Sequence, residues 1–193
     1  MQRFGRLAPV IGAAVGLVCV TPVPAAYVVT FNEVGSDVVA TGSGSLNLTA
    51  LSFVANNRID RARVAPSPGT VGVGPTTNTE LDAYTGYSGS SAFGTGTVNQ
   101  NATAGSGAIV FFSNVSRVID PPRGYVSGTD LGISTATFAN SSFASIGLTP
   151  GRYVYTWGSG PTADSFTVVV PEPAGLALAG VAFAGLAARR RRA

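Results

Sequence analysis

The chain has 193 residues, of which 45% are hydrophobic and 11% are charged, and it contains 25 glycines. This composition excludes a disordered chain and predicts a single β-rich globular domain. The formal charge of +3 does not indicate a nucleic-acid partner, because six of the twelve basic residues lie at the two ends. Between residues 26 and 170, six arginines stand against eight carboxylates, a net charge of −2, and we therefore expect no nucleic-acid binding.

The amino-acid types that are missing exclude several kinds of chemistry. The sequence has no lysine and no histidine, and its one cysteine is Cys19, inside the N-terminal apolar run. A Ser-His or Cys-His nucleophile and a histidine metal site are therefore excluded. We expect a protein that is not an enzyme and that has no metal ion and no cofactor.

The N-terminus is predicted to be a secretory signal peptide, residues 1–25. A short basic segment is followed by an apolar run at residues 7–20, and Val23 and Ala25 are small enough for cleavage by signal peptidase after Ala25. An uncleaved anchor is the alternative, although about 14 apolar residues in a helix are too short for a ~30 Å hydrocarbon core. Lipid attachment at Cys19 is disfavoured, because Val18 stands where a small residue is expected.

Residues 26–170 are predicted to form one all-β ectodomain, an antiparallel β-sandwich or a jelly-roll-like fold. Short runs of β-branched and aromatic residues alternate with Gly, Pro, Asn and Ser clusters, and no sustained helical period occurs. A bulge or a bend is expected near residues 49–50, where the alternation changes phase, and residues 86–107 are expected to form a long loop or weak edge strands. The predicted strands are residues 27–31, 38–40, 45–54, 70–73, 80–84, 108–113, 134–138, 152–157 and 165–170.

Two sites in this body are candidates for chemistry. Glu80 and Asp82 lie two residues apart on one predicted strand, at a spacing that suits the carboxylates of a glycosidase. Together with Asn78 they could also supply oxygen ligands to Ca²⁺, although the pattern lacks the glycine and the distal glutamate of an EF-hand. A chance arrangement is the alternative to both.

Trp157 is the candidate glycan contact. Tyr153, Tyr155 and Trp157 share one face of a predicted strand, and an aromatic face can stack on a sugar ring. Packing within the core is the alternative, and it is the commoner use of such a stripe.

The C-terminal residues 171–193 have three parts. Pro171, Glu172 and Pro173 end the last strand, an apolar segment at residues 174–188 is predicted to be a short transmembrane helix, and Arg189, Arg190, Arg191 and Arg192 follow. Fifteen helical residues reach only about 22 Å, so the span is weakly held. The arginines would keep this end in the cytoplasm. An ordinary tail anchor and a core helix with a basic tip are the alternatives.

These three parts resemble the PEP-CTERM sorting signal of Gram-negative bacteria that make extracellular polysaccharide. The resemblance implies recognition at or near Pro171-Glu172-Pro173 by an exosortase, an integral-membrane cysteine protease. The segment around Pro150-Gly151, and residues 41–48, also look like parts of a recurrent ectodomain type found with this signal. That second resemblance implies a shared fold and no particular activity.

The sequence as a whole predicts an exported structural or adhesive protein of the cell surface or extracellular matrix. Its expected partners are signal peptidase and an exosortase during export, and extracellular polysaccharide afterwards, with the inner membrane in transit. The alternatives are a surface carbohydrate-active enzyme, a glycan- or Ca²⁺-binding module, and a plain membrane-anchored domain.

Overall fold

The computed structural model describes residues 26–172, and these residues are built almost entirely of β-strands. One four-residue α-helix, α1 (Phe143–Ile146), and two 3-10 turns, Leu48–Ala50 and Gly160–Thr162, interrupt them. The strands are β1 (Ala26–Val34), β2 (Asp37–Gly44), β3 (Ser52–Asp60), β4 (Arg63–Ala65), β5 (Thr70–Val73), β6 (Thr79–Thr85), β7 (Ser88–Gly89), β8 (Gln100–Asn101), β9 (Ala104–Ser106), β10 (Val110–Ser113), β11 (Val118–Asp120), β12 (Ser134–Phe138), β13 (Gly151–Trp157) and β14 (Asp164–Val170).

The strands form two sheets of seven, and this arrangement confirms the predicted sandwich-like all-β fold. The first sheet has the order β7-β13-β14-β1-β2-β12-β9, and the second has the order β3-β6-β11-β10-β5-β4-β8. Neighbouring strands are antiparallel, with β1 and β14 as the parallel pair among residues 26–172. The first and last strands of the ectodomain therefore lie side by side and run in the same direction.

An aromatic cluster fills the space between the two sheets. Phe112 of the second sheet lies 4.3 Å from Tyr155 and 4.8 Å from Phe166 of the first, measured between ring centroids. At Gly42 of β2, Val73 of the second sheet comes close to the first sheet, because a Cβ atom at residue 42 would lie 2.5 Å from the Tyr27 hydroxyl and 2.7 Å from Val73. Burying rings of this size supplies much of the hydrophobic stabilisation of a small sandwich.

The second sheet is strongly curled, and its connectivity requires the curl. Strands β3 and β4 are separated by four other strands, which corresponds to about 24 Å in a flat sheet. Only Arg61 and Ala62 join them, and the three Cα steps from Asp60 to Arg63 reach at most about 11 Å. The sheet therefore bends until its two sides approach, and the bend encloses a second cluster of Leu81, Ile109 and Phe111.

The predicted strands agree with the structure except between residues 45 and 54. The expected bend near residues 49–50 is present, but it is a 3-10 turn that separates the two sheets rather than a bulge within one strand. The Asn47 side chain accepts a hydrogen bond from the Thr49 N–H and so starts this turn. Of the two predictions for residues 86–107, a long loop or weak edge strands, the structure has the second: the short strands β7, β8 and β9 lie at the edges of the two sheets.

Candidate functional site

The last strand, β14, lies in the interior of the first sheet and ends where the C-terminal segment begins. Val169 is paired with Arg152 of β13 on one side and with Thr30 of β1 on the other. Val170 is buried, Pro171 is half-buried and Glu172 is exposed. Proline has no N–H to donate to a neighbouring strand, so the ladder ends at Pro171. The chain thus leaves the sandwich directly from an interior strand.

The end of the sandwich at which the chain leaves is called the exit face here. It comprises residues 34–36, residues 140–145, Pro171 and Glu172. Strand β1 runs beside β14 and continues four residues beyond Thr30. From the strand spacings, the Cα atoms of Glu33 and Val170 are about 8 Å apart. Glu33 therefore lies at the base of the exit face.

Three hydrogen bonds fix residues 140–143 to the turn between β1 and β2. The Phe143 N–H donates to Glu33 Oε1 at 2.7 Å, and the Asn140 N–H donates to Asp37 Oδ1 at 2.9 Å. The Ser141 N–H donates to the Ser36 carbonyl oxygen at 3.0 Å. Both acidic side chains thus serve as structural acceptors, and they hold the exit face in one arrangement.

A cleft of about 440 Å³, lined mostly by polar residues, opens on the exit face. Its lining is rich in hydroxyl groups and has one carboxylate. Ser142 and Ser145 also cap α1 reciprocally, and Gly147, with φ of +79°, ends it. The lining residues are Glu33, Gly35, Ser36, Asn140, Ser141, Ser142 and Ser145. Sequence reasoning missed this cleft, because no periodicity brings residues 33–36 beside residues 140–145.

The carboxylates of Glu80 and Asp82 both hold the turn at residues 121–124. The Arg123 guanidinium forms an ion pair with Glu80 at 2.6 Å, and this contact raises the pKa of Arg123. The Gly124 N–H donates to Asp82 Oδ2 at 2.8 Å. Asn78 is exposed, and within residues 26–172 no three acidic, thiol or imidazole side chains come together as a group that could hold a metal ion.

Trp157 lies inside the sandwich, with 4% of its surface exposed. Its indole N–H donates to the Asn47 carbonyl oxygen at 2.7 Å. Tyr153 is half-buried and Tyr155 is fully buried on the same side of β13. This burial corresponds to the alternative of packing within the core, and the indole has no open face on which a sugar ring could stack.

A buried carboxylate in the curled sheet was not found from the sequence. Asp120 is fully buried at the end of β11, and Arg58 Nε lies 3.1 Å from its Oδ2 atom, although neither oxygen accepts a hydrogen bond. Burial raises the pKa of Asp120 to about 7; Arg58 opposes the rise and Asp60 adds to it. Arg63 forms two hydrogen bonds to Asp60 and covers the Phe111 ring.

A second carboxylate with a raised pKa, that of Asp164, lies in the first sheet at the end of β14 that is farthest from the exit face. Burial raises the pKa of Asp164 to about 6, although hydrogen bonds from the backbone N–H groups of Asn47 and Ser165 oppose the rise. Asp164 is paired with Trp157 across β13 and β14. It fastens the Asn47 turn and is not part of the exit face.

Several predicted segments lie outside the described residues. These are the signal peptide at residues 1–25, Pro173, the membrane helix at residues 174–188, and the arginines at residues 189–192. Of the residues that the structure describes, none belongs to a helix with the length and apolar character needed to cross a bilayer.

Comparison with known proteins identifies the C-terminal segment. The PEP-CTERM protein-sorting motif matches residues 169–192, so its first two positions are the last two residues of β14. The match includes Pro171, Glu172, Pro173 and the four arginines at residues 189–192. The comparisons with curated proteins and with solved structures found no match to the chain. The chain carries a C-terminal PEP-CTERM protein-sorting motif, consistent with an exosortase substrate that is exported and attached at the surface of a Gram-negative bacterium.

Proposed function

We propose that this chain is a structural or adhesive protein of the extracellular matrix or cell surface, delivered there by exosortase processing of its C-terminal signal. The observation that carries the proposal is the sorting motif itself, which starts within the last strand of a folded β-sandwich. The signal brings the domain to the cell surface, and the sandwich supplies a stable body to present there. Signal peptidase would remove residues 1–25 during export. At the cell surface, the proposed partner is extracellular polysaccharide.

An epitope tag placed after Ala193 tests the processing step. In cells with an active exosortase, exported protein should lose the tag, and the mass of the mature protein should show a cut near Pro171-Glu172-Pro173. Replacing Pro171 and Glu172 with alanine should preserve the tag. The exposed Pro161→Ala variant is the control and should be processed normally. Retention of the tag on all exported wild-type protein would contradict the proposal.

We also propose that the ectodomain is not an enzyme. The two best-placed carboxylates, those of Glu80 and Asp82, are engaged with Arg123 and Gly124 in holding a turn, which supports a structural role. Replacing both with alanine should leave the turnover of matrix polysaccharide unchanged. A loss of turnover in a variant that remains folded would favour the alternative, a surface carbohydrate-active enzyme.

A further inference from the structure

We propose that the exit face is a docking surface for the membrane protease that processes the sorting motif, so that the enzyme binds the folded domain as well as the motif. The inference rests on the proposed function, because it assumes that this processing occurs. It adds a second recognition element, on the sandwich, to the motif itself. The partner contacts would come from polar loops of the protease on the outer side of the membrane.

The first argument is the distance between the sandwich and the motif. Val169 and Val170 belong both to the motif and to β14, where Val169 is paired on both sides. No linker separates the sheet from Pro171. The three residues 171–173 reach at most about 11 Å before the apolar segment begins. A protease that acts on this stretch therefore works within about 11 Å of the exit face.

The second argument is the size of an enzyme. A specific protein interface covers about 800 Å² on each partner, which is a patch roughly 30 Å across. A patch of that size centred on Pro171 and Glu172 extends over the β1–β2 turn and over residues 140–145. Contact with the exit face follows from these dimensions, unless β14 first separates from the sheet. Separation is opposed by the burial of Val168 and Val170 on an interior strand.

The third argument is the character of the surface. The exit face is held rigid by the hydrogen bonds from Phe143, Asn140 and Ser141, so docking costs little ordering entropy. Its cleft is lined by serine, asparagine and glutamate side chains, several of them already hydrogen-bonded within the domain, and such a lining suits hydrogen-bonding loops better than lipid chains. Val34, with 58% of its surface exposed, supplies an apolar contact at the rim.

Two exposed valines at opposite ends of the sandwich give a matched test. Val34 lies on the exit face, whereas Val126, 68% exposed, lies beside a loop whose Gly128 N–H donates to Leu46 at the other end. In cells with an active exosortase, the half-time for loss of a C-terminal tag should lengthen about tenfold in Val34→Arg, because docking would have to desolvate the arginine without a partner charge. It should not change in Val126→Arg. Resistance to added protease should show that both variants are folded.

A spacer separates docking from access to the motif. Eight Gly and Ser residues followed by a second Val-Val pair, inserted between Val170 and Pro171, keep the motif contiguous, expose it more fully and also uncouple it from the exit face. Docking predicts that processing slows about tenfold, because the effective concentration of the motif at the enzyme falls. The spacer combined with Val34→Arg should then be no slower than the spacer alone.

The outcomes distinguish the two proposals. If the wild-type protein loses its tag and the Val34→Arg, Val126→Arg and spacer variants lose it equally fast, the docking surface is disproved and the proposed function stands. Faster processing of the spacer variant would also overturn the docking surface, since it would show that the sandwich only hinders access. If the wild-type protein is never processed, the proposed function itself fails.

Discussion

The two sheets of the sandwich are built on different principles. In the first sheet, β2 and β12 alternate buried and half-buried residues, as expected of strands with one face on the core and one towards solvent. In the second sheet, all residues of β5, β10 and β11 are buried, because the curl covers the outer face as well. The first sheet, from which the chain leaves the domain, therefore has one buried and one solvent-facing side. The second sheet encloses the cluster of Leu81, Ile109 and Phe111 and the buried carboxylate of Asp120.

The largest expected effect distinguishes the two faces of β10. Phe112 points into the aromatic cluster between the sheets, and Phe111, its neighbour, points into the three-residue cluster under the curl. Phe112→Ala should reduce the free energy of unfolding by about 3–5 kcal/mol. Phe111→Ala should cost less, because the Arg63 side chain that covers the ring can move into the space. Urea denaturation of the purified variants measures both, and a larger loss for Phe111→Ala would contradict this division.

The second prediction concerns the pH dependence that the curled sheet imposes. The pKa of Asp120 is raised to about 7 in the folded state, above its unfolded value of 3.8. Between these values the folded protein binds one more proton than the unfolded chain, so the contribution of this group to stability is fully present below about pH 3.8 and is lost as the pH rises through about 7. The loss from this group is on the order of 4 kcal/mol.

Asp120→Asn is the variant that isolates this group. The pKa of Asp164 is also raised by folding, so Asp164 also makes stability fall as the pH rises. The decrease of stability with pH should therefore be smaller in the variant than in the wild type, but still present. Thermal denaturation from pH 4 to pH 8 measures the difference between the two curves. If the wild-type and variant curves run parallel, Asp120 does not carry the effect.

Much of the first sheet could be predicted from the sequence, and less of the second. The alternation at residues 38–40 and 134–138 and the β-branched run at residues 165–170 mark strands with one solvent face. Strands β4 and β11 have three residues each, all or nearly all buried, and so show no alternation to detect. The pairing of β1 with β14 joins segments that are more than 130 residues apart, and no local pattern encodes it.

The candidate sites were predictable to different degrees for the same reason. The sorting motif is a contiguous segment, so its residues could be named directly from their order. The exit face and the Arg58–Asp120 pair are assembled from distant segments. Their one local signal is an acid that ends the apolar run Val118-Ile119, just before Pro121. Trp157 was visible as part of an aromatic stripe, but which neighbour covers the stripe depends on the other sheet.

A third, smaller effect should come from removing the countercharge in the curled sheet. Arg58→Met removes the charge that holds the pKa of Asp120 down, so at pH 8 the carboxyl either stays ionised without a partner or takes up a proton, at a cost of about 1–2 kcal/mol after allowing for the partial exposure of Arg58. Near pH 4 Asp120 is protonated, and the cost should largely disappear. In a double-mutant cycle with Asp120→Asn, the effects of the two substitutions on stability at pH 8 should not add. Additive effects would show that the 3.1 Å contact contributes no coupling.

The smallest expected effect tests whether the aromatic stripe of the first sheet is packing or a binding platform. Trp157→Phe keeps an aromatic ring but removes the indole N–H, so the Asn47 carbonyl oxygen loses its 2.7 Å hydrogen bond. The free energy of unfolding should fall by about 1 kcal/mol, because the carbonyl is left partly buried without that donor. Glycan binding by the purified protein, measured on an array, should be the same for wild type and variant, since 4% exposure leaves no ring face for a sugar. A selective loss of glycan binding with unchanged stability would mean that β13 opens to expose its inner face, and the first sheet would then be the adaptable one of the two.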